Sequence, residues 1–280
     1  MSRYDLHTHS DVSDGAFEPA LVVRYAAEAG LNGIALTDHD SMGGVEAARA
    51  AGESIGVEVI TGCEVSARWG EVSVHMLAYN VDPSHPRLAE ELRWIREDRV
   101  VRAEKMVQLL QGLGVPITFE MVRAIAKGES IGRPHVAQAM VDLGVVPTTP
   151  DAFTEEWIGE GGRANVHKKA LTPQDTVRLV AEAGGVSGIA HPIWIERDHG
   201  ASADVLIEEL AALGLGALEV NHPDHDELMR ARFAAIADRF GLIKTSSSDY
   251  HGNQHGGRLG ENAASEEIVA ALRAKSRSIC

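Results

Sequence analysis

An α/β fold of alternating strands and helices, interrupted once by a helical insertion, is the architecture that this 280-residue sequence predicts. Three observations carry that expectation. Short apolar or β-branched runs recur along the chain, and most are followed by a polar or glycine-containing stretch and then an amphipathic segment of helical length. Residues 86–170 alone break the rhythm, with long helical periodicity and few strand-like runs. Alternation of this kind sets successive strands parallel, in an open sheet or a barrel.

The strands are expected at residues 4–7, 33–37, 57–65, 72–79, 186–190, 216–220 and 242–246. Between the first two lies PALVVRYAAEAG, where Pro19 suits a first helical turn and Gly30 a C-terminal cap. Its Leu21, Tyr25 and Ala29 share a face, with Val22 and Ala26 alongside. GVEAARAAGESIG, LIEELAALG and ELMRARFAAIADRFG read the same way. In ALTDHD, Asp40 stands where it would cap a helix beginning near Ser41. Within the interruption, PRLAEELRWIREDRVVRAEKMVQLLQGLG is one long helical pattern, and GRPHVAQAMVDLGVV opens another with Pro134 near its first turn. Gly161-Gly162 and the polar run to Lys169 read as a return loop. Residues 1–85 and 171–280 then form the barrel, and 86–170 a helical insertion domain.

Lys and Arg number 26 against 41 Asp and Glu, a formal charge of −15, which excludes coating of duplex DNA by a basic surface. A short acidic ligand still fits wherever metal ions or a few arginines reverse the local sign. Cys63 and Cys280 are the only cysteines, so no disulfide framework is on offer, a reducing compartment is implied, and the terminal Cys280 is expected to be inert. No apolar run approaches the ~20 residues that cross a bilayer. The first motif begins at residue 4 and leaves no room for a signal peptide, so a cytoplasmic location is expected.

In a barrel of parallel strands, chemistry gathers at the C-terminal strand ends. His7 and His9 end the first strand, Asp38 and His39 the second, Glu64 the third and His191 the fifth; His75 lies within the fourth, and Asp249 and His251 follow the seventh. His-x-His on an extended segment sends both imidazoles to one side. Nitrogen and carboxylate ligands together suit Mn²⁺, Fe²⁺ or Zn²⁺ better than a dedicated Ca²⁺ or Mg²⁺ cage. The ligands exceed what one ion needs, which implies two or three. Ions about 3.5–4 Å apart can share a hydroxide and clamp a phosphoryl group. Taken singly, His75 reads as a core histidine and GIAHP as a strand followed by a turn; their conjunction at one mouth points to metal. Asp11 is left a turn position.

HTHSDVSDG, LTDHD, GCEVS, the strand histidine of VSVHML, GIAHP and SSSDYHG occur in the order and approximate spacing of the PHP (polymerase and histidinol phosphatase) family, which the chain resembles over nearly its whole length. The resemblance implies a distorted (β/α)7 barrel, two or three divalent ions with manganese foremost, and phosphoester hydrolysis. It assigns His7, His9, Glu64 and Asp249 to a first ion. Glu64, as a bridge, joins His75 and His191 at a second, and Asp14, His39 and His251 hold a third, at which many members carry histidine in place of Asp14.

An insertion with Arg-x-His, here Arg133-Pro134-His135, resembles the branch acting on nucleoside 3′,5′-bisphosphates and the 5′ ends of short RNA. Arg133 and His135 would then bind substrate, Arg133 by paired hydrogen bonds to a phosphate. That branch carries a lysine, a glycine and an aromatic in the return loop; here Gly162-Arg163-Ala164 keeps the charge in Arg163 and lacks the aromatic. Lys168 is a further phosphate-binding candidate, and His85, His167, His199 and His255 are read as loop residues. His225, with His222 as the alternative, would contact phosphate or protonate the leaving oxygen, and Asp249 would serve catalysis directly.

The implied reaction is attack by metal-bound hydroxide. It converts nucleoside 3′,5′-bisphosphates to 5′-monophosphates, or trims short RNA from the 5′ end, without duplex DNA or membrane as partner. Rival readings are hydrolysis of histidinol phosphate, a non-catalytic metal-binding module of the kind that scaffolds a polymerase, and amide hydrolysis as in amidohydrolase barrels.

Overall fold

Strand β1 (Arg3–Thr8) is buried from Tyr4 onward, on both faces, as strands of a helix-covered sheet are. The computed structural model describes residues 2–128, 130–167, 169–252 and 257–279; Lys168, His255 and Cys280 lie outside the described residues. After β1 come α1 (Pro19–Glu28), β2 (Gly33–Leu36), α2 (Val45–Ile55), β3 (Glu58–Trp69) and β4 (Val72–Tyr79). The interruption supplies α3 (Pro86–Gly112), α4 (Phe119–Ile125), α5 (Arg133–Asp142) and α6 (Thr149–Ala152). Alternation then resumes with α7 (Pro173–Glu182), β5 (Val186–Ile189), α8 (Ile193–His199), α9 (Ala203–Ala211), β6 (Ala217–Asn221), α10 (Glu227–Phe240), β7 (Ile243–Ser246), β8 (Ala264–Ser265) and α11 (Glu266–Ile279). His85 caps α3 and His199 ends α8, so neither is a simple loop residue.

One sheet runs β7-β6-β5-β4-β3-β2-β1-β8. It closes nearly into a barrel where Tyr250, after β7, bridges Thr8 in parallel and accepts a hydrogen bond from the His9 N–H at 2.8 Å. Two features depart from seven parallel strands. The two-residue β8 adds an antiparallel edge beside β1. Strand β4 runs antiparallel to both β3 and β5, because β3 continues past Glu64 to Trp69 and turns back through Gly70, whose φ of +59° suits a tight hairpin. Glu64 therefore sits in mid-strand, paired with Leu77, and His75 lies opposite Ser66.

Helix α3 packs on two hydrophobic cores. Its first half buries Leu88, Leu92 and Ile95 in the barrel-side core, and its second half buries Met106, Val107 and Leu110 in a separate core with Val122 of α4 and Val136 and Met140 of α5. Arg99 fastens the junction. Its Nε donates to Asp40 Oδ2 at 2.7 Å and its Nη2 to Ser66 Oγ at 2.9 Å, while Asp40 Oδ1 accepts from the Ser66 N–H at 2.6 Å. This corrects the helix-cap reading of Asp40: α2 begins at Val45 without a side-chain cap, and Asp40 adopts a left-handed φ of +53° that turns its carboxylate inward.

Both members of that pair are almost fully buried, so removing one strands the other's charge. Arg99→Leu is expected to destabilise the protein by about 3–5 kcal/mol, read as a lowered urea midpoint. A midpoint equal to that of the wild type would refute the clamp.

Candidate metal centre

The strand ends deliver ring nitrogens and carboxylate oxygens to one point. The Nε2 atoms of His7 and His9 each lie 3.3 Å from Asp249 Oδ1, and 3.3 and 3.4 Å respectively from Glu64 Oε2. Four ligands at bonds of about 2.0–2.1 Å round one tetrahedral ion would be about 3.3–3.4 Å apart, which these spacings match. The other oxygen of Glu64, Oε1, is 3.0 Å from both His75 Nδ1 and His191 Nε2. Asp14 faces His251 Nε2 at 3.4 Å through Oδ1 and His39 Nε2 at 3.7 Å through Oδ2. His39 also turns Nδ1 to Glu64 Oε2 at 2.9 Å, so it stands between the first and third groups.

Divalent cations fit this donor set. His7 Nε2, His9 Nε2, Asp14 Oδ1, Glu64 Oε2 and Asp249 Oδ1 are buried and make no hydrogen bond, an arrangement that costs free energy unless a cation takes the lone pairs. Burial would raise the pKa of Glu64, but His39, His75 and His7 outweigh it and hold the carboxyl well below its usual range. Asp249 is held low likewise, against burial, by His7 and His251. Burial, with His251 adjacent, drives the His9 imidazole down to about 3, so the ring is neutral at neutral pH and keeps a lone pair on one nitrogen.

Other side chains aim these ligands. Glu219 accepts from His7 Nδ1 at 3.1 Å, from the His191 N–H at 2.6 Å and from Ser247 Oγ. The first bond fixes the His7 tautomer with its Nε2 lone pair toward the cluster. Asp38 turns away from the ligands: Oδ1 accepts from the Ser10 N–H at 2.7 Å and Ser13 Oγ at 2.6 Å, shaping the loop that presents Asp14. Asp5 ties the loop after β7 to β1 through the Ser248 N–H at 3.0 Å and the Gly260 N–H at 2.7 Å. His191 and Asp249 hold φ at +26° and +51°, backbone strain of the kind found at functional sites. Glu219 and Asp5 escaped the sequence reading, although a carboxylate inside an otherwise apolar strand was a usable signal.

The cluster opens into a cleft of about 810 Å³. Its wall carries Arg102 of α3, Arg133 of α5 and Phe153, with Trp194 stacked on the His191 ring at 3.8 Å. Arg133 lies 3.9 Å from Glu160 and over the Phe153 ring.

The remaining substrate candidates sit elsewhere. His135 is inside α5, where its Nδ1 accepts from the Gly132 N–H at 2.9 Å and caps the helix. Arg163 is exposed and is not among the cleft-lining residues. His222 Nδ1 accepts from the Asp224 N–H at 3.1 Å, which leaves the proton on Nε2, 3.5 Å from Asp249 Oδ2. His225 is buried, donates from Nδ1 to the Val220 carbonyl at 2.8 Å, and is pushed down to about 4 by burial. Its Nδ1 proton is thus committed to the Val220 carbonyl, and His225 is not among the residues lining the cleft.

The sequence profile of the PHP domain matches residues 5–111. The 3′,5′-nucleoside bisphosphate phosphatase of Chromobacterium violaceum is 36% identical over 259 residues, covering 92% of this chain and 90% of its own length. The 5′-3′ exoribonuclease of Haemophilus influenzae is 32% identical over 256 residues, covering 89% and 90%. Among solved structures, a Bifidobacterium adolescentis protein assigned to the metal-dependent phosphoesterases superposes with a TM-score of 0.89 at 33% identity, over 97% of this chain and 96% of that one.

Metal should stabilise the fold through Glu64. Chelator-treated protein is expected to gain melting temperature when Mn²⁺ is restored, by about 2.7 kcal/mol in stability at one hundred times the dissociation constant. Glu64→Gln should lose most of that gain. A wild type whose melting is indifferent to Mn²⁺, Fe²⁺ and Zn²⁺ alike would contradict the metal centre.

Proposed function

This chain belongs to the PHP family, and from that membership we propose that it is a metal-dependent phosphoesterase acting on nucleotides, foremost nucleoside 3′,5′-bisphosphates. The observation that carries the reading is one cleft holding both the buried carboxylate–imidazole cluster and an arginine-bearing wall. Manganese is the proposed ion; Glu64 with His7, His9, His75, His191 and Asp249 would hold such ions, and Asp14, His39 and His251 would hold a further one. Bound divalent ions supply a nucleophile at neutral pH and neutralise charge that builds on the phosphoryl oxygens.

The chain's own residues do the rest. Glu219 keeps the proton of His7 on Nδ1, so Nε2 stays a ligand atom. The Asp224 N–H places the His222 proton on Nε2, where it steadies the second oxygen of Asp249. Trp194 covers the outer face of His191 and keeps water from that ring. Arg133 receives the phosphate that is not cleaved, converting binding energy into orientation of the one that is. In this arrangement the 3′-phosphate is hydrolysed and the nucleoside 5′-monophosphate released. The same placement accommodates short RNA entering by its 5′ end, a second reading supported by the exoribonuclease relative and by the cleft volume of about 810 Å³. Among the described residues no helix is long and apolar enough to cross a membrane.

With Mn²⁺ supplied, the expected products are nucleoside 5′-monophosphate from a 3′,5′-bisphosphate and mononucleotides from a 5′-phosphorylated RNA. Turnover of histidinol phosphate instead, or of no phosphoester, would overturn the proposal. Arg133→Ala should reduce bisphosphate turnover by about 10- to 100-fold while reducing turnover of a small aryl phosphate far less. Equal losses would remove the two-phosphate arrangement.

A further inference from the structure

The loop that carries Asp14 is held from two sides, and only one of them belongs to the barrel. From the barrel, Asp38 accepts from the Ser10 N–H at 2.7 Å and from Ser13 Oγ at 2.6 Å, and the His251 carbonyl accepts from the Ala16 N–H at 3.0 Å. From the insertion, the Ser130 N–H donates to the Val12 carbonyl at 3.3 Å. At Gly128 the approach is closer still. A Cβ placed there would stand well under 3.0 Å from the carbonyl oxygens of both Asp11 and Val12. Both obstacles are backbone, so no side-chain movement relieves the collision, and only glycine fits. The contact is rooted in the insertion, because Ala126 and Ile131 on either side of it are buried in the core shared by α3, α4 and α5. Gly132, at the start of α5, then passes beside the ligand, where a Cβ would lie 3.9 Å from Asp14 Oδ2. A cavity of about 60 Å³ marks the seam, lined by Asp14 on the loop and by Pro134 and His135 on α5.

Resting on the metal-dependent reading, we propose that Gly128 is a positioning residue for the cation of Asp14, His39 and His251: its backbone contact seats the insertion on residues 11–14 and fixes where the Asp14 carboxylate points. His39 and His251 come from strand ends of the barrel, whereas Asp14 comes from a loop whose outer side is the insertion. A larger residue at position 128 has to lift the insertion or push the turn. Either change moves Asp14 relative to the two imidazoles that it now faces at 3.4 and 3.7 Å. Glu64, His75 and His191 are carried by β3, β4 and the end of β5, so their hold on a cation is expected to persist. Coupling between two sites is reciprocal. A cation at Asp14 therefore holds the Ser130 N–H on the Val12 carbonyl in its turn.

The test titrates chelator-treated protein with Mn²⁺ and follows the free ion by electron paramagnetic resonance, for the wild type, Gly128→Ala, Asp14→Asn and the double variant. Gly128→Ala should weaken one class of site by about 10- to 100-fold and leave the others as in the wild type. Added to Asp14→Asn, it should cost no further affinity, as expected of two changes acting on one site. Hydrogen exchange at the Ser130 N–H gives a reading that needs no Gly128 variant: saturating Mn²⁺ should slow it in the wild type and not in Asp14→Asn. In a folded Gly128→Ala, an unchanged titration, a uniform weakening of every site or an additive loss in the double variant overturns the inference. So does Ser130 exchange that ignores Mn²⁺ in the wild type or slows equally in Asp14→Asn, even where Gly128→Ala does not fold. These outcomes leave the metal centre standing, whereas a wild type that binds no Mn²⁺ sinks the centre and this inference together.

Discussion

Both oxygens of one buried carboxylate organise this protein's cleft. Glu64 presents Oε2 to His7, His9 and His39 and Oε1 to His75 and His191, so five imidazoles carried on or just after four strands, β1, β2, β4 and β5, converge on a single side chain. Such a group is tolerable inside a protein only when cations compensate it. Much of the surrounding structure serves that requirement. Strand β3 runs through the barrel rim rather than stopping at it, which places Glu64 centrally, and β4 folds back beside it to bring His75 into range. Glu219 orients the His7 ring through Nδ1, and Asp249 faces Nε2 of both His7 and His9.

The cleft also reconciles an acidic protein with an acidic substrate. A formal charge of −15 repels nucleotides at long range, but salt screens that field within about 8–10 Å. Inside the cleft the sign would be set locally by metal ions held at the carboxylate–imidazole cluster and by arginines carried on α3 and α5. Helix α3 matters twice here, because it links the two hydrophobic cores and brings Arg99 and Arg102 to the wall between them.

A good part of this was legible in the sequence. His7, His9, Glu64, His191, Asp249 and His251 could be placed at one mouth because strand periodicity and the rule for parallel barrels need only local pattern. The seven principal strands also fall within a few residues of their expected positions, except that β3 is longer. The direction of β4 was hidden, since Ser66 and Arg68 interrupt the apolar run and conceal the hairpin that continues to Trp69. Asp40 looked like a cap because its partner, Arg99, is distant in sequence and its left-handed backbone leaves no local trace. Arg102, inside REDRVVRAEK, reads as a surface residue, but it is buried and donates to the Val166 carbonyl of the return segment, 64 residues away. His135 and Arg163 matched a motif in spacing, yet one caps a helix and the other faces solvent.

Whether Glu64 would bridge two ions is read most directly by anomalous diffraction at the manganese edge from Mn²⁺-soaked crystals. Two peaks about 3.5–4 Å apart are expected. One should lie among His7, His9 and Asp249 and the other between His75 and His191, with one Glu64 oxygen on each. A single peak, or peaks that leave Glu64 uncoordinated, would contradict the bridge.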